Sequence, residues 1–532
     1  MIRTIIKREF LDNILSFKFI ACVLVAIVVS LASTSILTRD YQDRLKNFDT
    51  GIALAKESLA KVPVYSSLKV KIYRRPSPMS IFVAGIERKA GSYVEIGNMR
   101  MDIPTSLQGG VTKNEFAAMF SIFDFSSVII IIFTVLAILL SYSSISGEKE
   151  DGLLSLALAN SVPRYKILLG KYLGAFVSIA VPLAFCFILG LLFLLFSRSV
   201  DVDTNFFGSM GLLFSASLFY LSGILLFGIF ASSTTKTSFG SLLFLLTFYL
   251  VLTFLLPQAV RSYSNNAIIA RTKNVEGNIR SLENERYKKS GEAYRKAVFK
   301  KTWMIPRDSD NMQLYGGIIL SRITSPEYLD DQNQSTSYQI RVEREYAQKA
   351  YDLKNQDMAV EENIRRNQNR LLAFVPSASF GRIAELVADT GDEALKRCLR
   401  QIGLYWHQYM SYLDRKNAFG TRFCYPGPEE LTPYEQELIK KITEDLSGRT
   451  VDTYQSWVIR YRGKYYDEAM KYRPKLTFLN LDDLPAFKSP ELGLIDRLKP
   501  LLFNIGVLFF YNILFFVLAY FSFAGCDPRR ME

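Results

Sequence analysis

Six blocks of apolar residues interrupt an otherwise mixed sequence of 532 residues. Each block is about 19 to 26 residues long and almost free of charge, and a helix needs roughly 20 such residues to cross a hydrocarbon core. We therefore predict transmembrane helices at residues 18–37, 122–142, 172–197, 209–231, 239–257 and 501–523. The pattern predicts an α-helical integral membrane protein with six spans.

Residues 1–17 have the spacing of an amphipathic helix. The apolar positions on one face are Ile2, Ile5, Ile6, Phe10 and Phe17, and the basic positions on the other are Arg3, Lys7 and Arg8. Such a helix lies along a membrane interface. A secretory signal peptide is the alternative, but no small-residue cleavage site is clear and the apolar run continues to Leu37, so we predict that the first span is retained.

The short loops on one side of the predicted bundle carry basic residues. These are Arg3, Lys7, Arg8, Lys149, Arg164, Lys166, Lys171, Lys236, Arg529 and Arg530. Because basic residues concentrate in cytoplasmic loops, we predict that both termini are cytoplasmic, including the tail at 524–532. The long polar regions at 38–120 and 260–499 then lie on the extracytoplasmic side.

The two polar regions have different patterns. Residues 38–120 begin with a charged helical stretch and continue with alternating apolar residues, which predicts a small α/β domain with a few strands. Residues 260–499 contain two long charged stretches at helical spacing, 267–301 and 335–372, which we predict to pair as antiparallel helices. All three tryptophans lie in this second region, which indicates a packed, mainly helical domain.

Cys398 and Cys424 are the two cysteines assigned to the extracytoplasmic side, where disulfides form. They are a possible disulfide pair, but two separate buried thiols fit the spacing equally well. The chain has one histidine and no CxxC motif, so we predict no metal site and no cofactor.

The net charge of +13 does not indicate nucleic-acid binding, because the basic residues are interspersed with acidic ones and no known nucleic-acid module is present. A phosphate-binding loop of the form G-x-x-x-x-G-K-[ST] is also absent from the sequence, as are G-x-S-x-G and H-E-x-x-H. We therefore predict that the chain is not an enzyme and that any ATP hydrolysis takes place on a separate subunit.

Polar residues inside membrane spans are candidates for function. Asp124, Asn504 and Asn512 could line a translocation path or contact a second subunit. Asp124 could instead cap the second span, and hydrogen bonding between helices accounts for the two asparagines equally well. Gly170 and Gly174 form a small-xxx-small pair, which favours close helix packing.

Residues 145–171, ISGEKEDGLLSLALANSVPRYKILLGK, form a charged insert between the second and third spans. Gly152 and Pro163 bracket a leucine-rich stretch that fits a helix lying along the membrane interface. A solvated loop is the alternative.

This insert resembles the signature of permease subunits of ATP-binding-cassette transporters of the type-2 exporter group. The matching positions are Glu148, Lys149, Glu150, Gly152, Arg164, Gly170 and Lys171, whereas Leu153 stands where the family often has threonine. In that family the segment contacts the ATPase. The resemblance therefore implies a coupling role for Glu148, Lys149, Glu150, Gly152, Leu154 and Arg164. Residues 74–87 and 374–391 resemble a subset of these permeases with large extracytoplasmic insertions.

The resemblance implies the transmembrane permease subunit of an ATP-driven exporter in the inner or plasma membrane of a prokaryotic-type cell. Its expected partners are a cytoplasmic ATPase and a second permease, identical or different. The substrate is not indicated. One alternative is a membrane scaffold or force-transmitting subunit that moves an extracytoplasmic stalk without transport; a membrane-anchored enzyme is the other.

Overall fold

The structure is a computed structural model, and it describes residues 2–62, 64–97, 103–109, 124–152, 163–196, 203–298, 326–419, 478–489, 493, 496–497 and 499–525. Within these residues six helices are long and apolar enough to cross a membrane, which confirms the predicted number of spans. The helices pack around a core of aliphatic and aromatic side chains.

Helices make up most of the described chain. In chain order they are α1 (Ile2–Ile14), α2 (Phe17–Ala60), α3 (Phe125–Val128, Ile129–Phe133 and Thr134–Ser141), α4 (Ser146–Glu150), α5 (Arg164–Phe196), α6 (Thr204–Thr234), α7 (Ser238–Leu250, Val251–Leu255 and Leu256–Val298), α8 (Pro326–Ala373), α9 (Pro376–Ala388), α10 (Asp392–Arg415) and α11 (Leu502–Ala524). The middle segments of α3 and α7 are π-helical turns. Strands β1 (Lys69–Tyr73) and β2 (Tyr93–Gly97) form an antiparallel pair.

Two spanning helices continue well beyond their apolar part. The first span was predicted to end at residue 37 and the fifth at 257, but α2 runs to Ala60 and α7 to Val298. Charged residues at helical spacing follow each apolar run, and α7 continues through Pro257, so hydropathy marks the end of the apolar part and not the end of the helix. The same effect places residues 164–171, predicted as part of the loop insert, in the first turns of α5.

The polar part of α7 packs along α8, and we call this helix pair the stalk. Ion pairs join the two helices, with Arg271 Nε 3.2 Å from Asp357 Oδ1 and Arg286 Nη1 3.4 Å from Glu343 Oε2. The end of the bundle from which the stalk projects is called the stalk end. The opposite end carries α1 and α4 and is called the α1 end.

Helix α9 lies within the bundle, although residues 260–499 were predicted to be wholly extracytoplasmic. The Phe380 ring stacks on Tyr220 of α6 with centroids 5.1 Å apart, and the Tyr511 hydroxyl of α11 donates to the Phe374 carbonyl at 2.6 Å. Tyr511 lies nine residues into α11, which is about 14 Å along the helix and close to half of a typical hydrocarbon core. The turn between α8 and α9 therefore enters the bundle. A helix of 13 residues is too short to be recognised as a span.

The two polar regions, predicted as separate domains, share one hydrophobic core. Val70 and Ile72 of β1 and Val94 of β2 pack with Ile402 and Trp406 of α10. Alternation along the strands indicated a buried face, but the sequence did not indicate that the face packs on a helix more than 300 residues later. Cys398 is buried in this core, and burial raises the pKa of its thiol. Cys424 lies outside the described residues, so the disulfide stays a prediction.

Two glycines bring α1 against α5. A Cβ atom on Gly170 would lie 2.7 Å from Ile5 Cγ2, and one on Gly174 would lie 2.6 Å from Glu9 Cβ. Both distances are shorter than any normal contact, so the absence of side chains allows this approach. The small-xxx-small pair is a packing element, and α1 is its partner.

Replacing Gly174 with alanine should lower the thermal unfolding temperature of the purified protein, because the added methyl group overlaps Glu9. Overpacking of this kind costs about 1–3 kcal/mol. Gly211→Ala is the matched control, since a Cβ atom at this α6 position meets nothing within 4 Å. Equal unfolding temperatures for the two variants would show that α1 does not depend on this contact.

Candidate functional site

Helix α4 lies at the α1 end, between the ends of several longer helices. It follows α3 after a short turn, and it carries Glu148, Lys149 and Glu150 as its last three residues. Its side chains contact α5, the end of α6, the connection between α6 and α7, and the first residue of α7, while α5 in turn binds α1 and α11. We call this set of contacts the junction.

Lys171 is the buried cation of the junction. Lys171 is only 5% exposed. Its Nζ atom lies 2.8 Å from Glu148 Oε1 and 3.6 Å from Glu9 Oε2. The same ammonium group donates to the Ser144 carbonyl at 2.7 Å. A buried ammonium group is costly unless it is paired and hydrogen-bonded. Lys171 therefore holds α1, α4 and the turn before α4 against α5.

Glu9 is a carboxylate partner of Lys171, and its pKa depends on burial and on this ion pair. Burial raises the pKa of Glu9 above its ordinary value, and the charge of Lys171 opposes that increase. Glu148 adds a second negative charge that raises the Glu9 pKa further. Lys171 is therefore the group that allows two carboxylates to share this partly buried site.

Lys149 and the residues before it hold the end of α6. The Lys149 ammonium group donates to the Ser233 carbonyl, and to the Thr235 carbonyl at 3.0 Å. In the reverse direction, the Ser232 hydroxyl accepts hydrogen bonds from the backbone N–H groups of Ile145 and Ser146, both at 2.9 Å. A cation at the carbonyl end of a helix is favourable because of the helix dipole.

Glu150 binds the beginning of α7. Its carboxylate accepts from the Ser238 backbone N–H at 3.1 Å and from the Ser238 hydroxyl. An anion at a helix N-terminus is stabilised by the unpaired N–H groups and the dipole. Glu150 therefore acts as an additional cap for α7, beside the capping hydroxyl of Thr237.

Arg164 and Gly152 complete the described part of the predicted coupling segment. The Arg164 guanidinium donates to the Ala524 carbonyl, at the end of α11. Gly152 has a φ of 71°, a left-handed conformation that suits glycine, and it follows the end of α4. Leu154 lies outside the described residues. Of the other five predicted coupling residues, the four charged ones bind other helices of the same chain.

In the junction, α4 makes polar contacts with α5, α6 and α7 and follows α3 directly, while Lys171 and Arg164 of α5 bind α1 and α11. A movement of α4 therefore acts directly on the ends of α5, α6 and α7, and reaches α1 and α11 through α5. The sequence did not indicate Glu9 as part of the site. The link from Ser232 to Ser238 was expected to turn the chain or to touch the ATPase, and its binding to α4 was not indicated. Lys171 matches a position of the family signature. Its place within an apolar run is the feature of the sequence that could have indicated a buried ion pair.

Comparison with protein families gives a match over this part of the chain. The model of the family described as ABC-2 family transporter protein matches residues 3–285, more than half of the 532 residues. The chain belongs to the ABC-2 transporter family. No curated protein matches the chain.

The matched part of this ABC-2 family protein includes α1 to α6, most of α7, and every residue of the junction except Ala524 of α11. The protein is therefore a permease subunit of an ABC transporter and a multi-pass membrane protein, and such a subunit is not itself catalytic. Helices α8, α9, α10 and α11 lie beyond the matched residues. Within the described part of the chain, no group of His, Cys, Asp and Glu is arranged to hold a metal ion.

Asp124 is the N-cap of α3. Its carboxylate accepts from the Ser127 backbone N–H at 2.9 Å, from the hydroxyls of Ser126 and Ser127 at 2.8 Å, and from the Ala84 backbone N–H at 2.9 Å. These bonds are typical of a capping residue. Asp124 therefore caps the second span in this structure, which was one of the two predicted roles. Its role in a translocation path stays a prediction.

The two asparagines of α11 bind helices of the same chain. Asn504 Oδ1 lies 3.4 Å from the Ser379 hydroxyl of α9. Asn512 donates to the Phe219 carbonyl at 3.0 Å and accepts from the Ser222 hydroxyl at 2.6 Å. Hydrogen bonding between helices therefore accounts for both residues here, and a subunit contact stays a prediction.

Glu385 is a titratable group near the stalk end that the sequence did not indicate. Burial raises the pKa of its carboxyl to about 7. The nearby Asp392 and Asp124 contribute to the increase, whereas Arg382 and Arg261 oppose it. Glu385 belongs to α9, next to the left-handed turn at Asp389 that ends this helix.

Replacing Lys171 with methionine should destabilise the protein by about 3 kcal/mol, because the removal of one partner leaves Glu9 and Glu148 uncompensated. Adding Glu148→Gln to this variant should recover part of the loss. Lys166→Met, on the same helix but without an ion pair in the described chain, is the control. Chemical or thermal unfolding in detergent measures both effects. A Lys171→Met protein as stable as the control would rule out the buried ion pair.

The Glu385 carboxyl should make stability depend on pH. Its folded pKa of about 7 lies above its ordinary value of 4.5, so the folded state keeps a proton that the unfolded state releases between these values. Stability should then fall as pH rises from 5 to 8, by up to about 3 kcal/mol. Glu385→Gln should remove this decline, whereas Glu276→Gln on the exposed stalk should not. Parallel pH profiles for the two variants would contradict the raised pKa.

Proposed function

We propose that this ABC-2 family permease is the transmembrane subunit of an ATP-driven exporter and that a separate ATPase docks at the α1 end. The observation that supports this function is the junction, in which one short helix binds the ends of α5, α6 and α7 and is linked through α5 to α1 and α11. A force applied there reaches the whole bundle. An isolated charged loop would absorb it.

The structure refines which residues we expect to meet the ATPase. Glu148 and Glu150 are engaged within the chain, whereas Asp151 is exposed at the end of α4. We propose that Glu148, Lys149, Glu150 and Arg164 transmit the movement. Asp151, together with the leucine-rich stretch that contains Leu154, would form the docking surface.

The proposed orientation puts the α1 end in the cytoplasm and the stalk outside, in the inner or plasma membrane of a prokaryotic-type cell. Arg3, Lys7, Arg8 and Lys236 belong to the α1 end, and basic residues favour the cytoplasmic side. Both termini would then be cytoplasmic.

A second permease, identical or different, would complete the transporter. Helices α7 and α11 expose apolar side chains along the bundle, including Phe244, Phe509 and Phe510. These faces suit lipid or the second permease. A dimer would place two junctions beside two ATPase chains.

Force transmission without transport is the second candidate. It is favoured by the continuity of α2 and α7, which run from the bundle into the polar domain. The 44 residues of α2 alone extend about 66 Å. A tilt at the α1 end would therefore move the stalk even if no solute crossed the membrane.

Asp151→Lys combined with Leu154→Asp should abolish co-purification of the ATPase, while the thermal unfolding temperature stays unchanged. The exposed Lys273 of the stalk gives the control Lys273→Glu, which should retain the ATPase. Mass spectrometry of complexes pulled down from the native membrane measures the outcome. Undiminished co-purification would show that the ATPase docks elsewhere. With the complex intact, substrate-dependent flux favours the exporter, and ATP-dependent stalk motion without flux favours force transmission.

A further inference from the structure

One turn in the middle of α6, residues 219–223, contacts four other helices, and we call this turn the hub. Phe219 is the middle residue of the 31 in α6, so the hub lies deep among the spans. Tyr220 and Ser222 supply its side-chain contacts. Neither the junction nor the proposed ATPase contact includes these residues.

A chain of hydrogen bonds joins the hub to α5 and α11. The Tyr172 hydroxyl lies 2.6 Å from the Ser222 hydroxyl, which donates to Asn512 Oδ1 at 2.6 Å. Because a serine hydroxyl has one proton, Tyr172 is the donor in the first bond. Asn512 donates in turn to the Phe219 carbonyl at 3.0 Å. Tyr172 follows directly after Lys171, so the hydrogen-bond chain begins beside the buried cation of the junction.

Tyr220 joins the hub to α3 and α9. Its hydroxyl lies 2.9 Å from the Thr134 hydroxyl of α3. Its ring stacks on Phe380 of α9, with centroids 5.1 Å apart and planes at 15°. Both rings are fully buried, and aromatic pairs of this kind are stabilised beyond their buried area. A displacement of the hub therefore acts on α9.

The base of the stalk helix α8 is held by the same helices. Helix α8 ends at Ala373 and α9 begins at Pro376, so only two residues join them. The Tyr511 hydroxyl of α11, next to Asn512, donates to the Phe374 carbonyl in this connection at 2.6 Å. Helix α8 is not among the six described helices that could cross a membrane. This connection is therefore where the bundle holds α8.

Two attachments connect α11 to α5. Arg164 binds the Ala524 carbonyl at the α1 end, and the hydrogen-bond chain from Tyr172 reaches Asn512, about 18 Å away along α11. A helix held at one end can pivot about that end, whereas a helix held at two points must tilt with its partner. No water is available among lipid chains to replace these bonds. A tilt of α5 therefore tilts α11 and displaces Phe374.

We propose that the hub is a second coupling point, at which Tyr172 and Tyr511 are positioning residues that pass the movement of α5 to the base of α8. This inference rests on the proposed function, because the ATPase would supply the movement at the junction. Helix α7 carries movement into the stalk by its own continuity, and the hub adds an input to the other stalk helix. Tyr511 and Phe374 lie beyond the residues that the family model matches.

Double electron–electron resonance tests the hub in the complex with the ATPase, with labels on unnatural amino acids at the exposed Lys56 of α2 and Asn355 of α8. ATP should change the ratio of two distance populations in the otherwise native protein. Tyr172→Phe and Tyr511→Phe should each reduce this change in the ratio about threefold, the size expected for a residue that contributes to coupling. ATPase binding and ATP hydrolysis should be unchanged. The double variant should lose no more than the larger single loss, because both hydroxyls act on one path.

Tyr249→Phe is the matched control. The Tyr249 hydroxyl donates to the Ile130 carbonyl at 3.1 Å, so this variant also loses one hydrogen bond between spans, but outside the hub. It should lower the unfolding temperature about as much as Tyr172→Phe does and leave the ATP response unchanged. Equal ATP responses of these two variants, or additive losses in the double variant, would overturn the hub alone. An otherwise native protein with no ATP response would contradict both the hub and the proposed function.

Discussion

The buried ammonium group of Lys171 determines how the α1 end is arranged. A lysine that is 5% exposed needs nearby carboxylates, and these come from Glu9 of α1 and Glu148 of α4. Both helices must therefore dock on α5. Docking of α1 requires the close approach that Gly170 and Gly174 allow. Once α4 is docked, its other charged residues bind the ends of α6 and α7, so one charge balance organises most of the helix ends.

The stalk end depends on a different set of contacts. Helix α9 enters the bundle and is held by α6 and α11, while Asp124 ties the start of α3 to the preceding loop. Between the two ends, α2 and α7 run without interruption from the bundle into the polar domain. A continuous helix of this kind can carry a displacement from the α1 end to the polar domain and the stalk. Transport and force transmission would both use it.

The sequence predicted the spans well, because an uncharged apolar run of about 20 residues matches the thickness of a hydrocarbon core and is rare in soluble domains. The sequence predicted poorly where helices end in the polar regions, since a charged helix and a charged loop differ little in composition. The extension of α2 to Ala60 is the clearest case. The insertion of α9 was missed because 13 residues cannot span a membrane, and its burial depends on Tyr220, 160 residues earlier in the chain than Phe380. The charged insert at residues 145–171 was identified by its resemblance to the family signature. Its partners were not, because Glu9 and Ser238 are distant from it in sequence.

Double electron–electron resonance between spin labels on α2 and on the stalk tests the central claim, that the junction transmits ATPase movement to the stalk. Labels on unnatural amino acids at Lys56 and Arg280 occupy exposed positions of these helices. In the complex with the ATPase, ATP should change the distance distribution of the otherwise native protein. In the Lys171→Met, Glu148→Gln protein the ATPase should still bind and hydrolyse ATP, but the distance change should be lost. An identical ATP-dependent change in both proteins would contradict transmission through the junction.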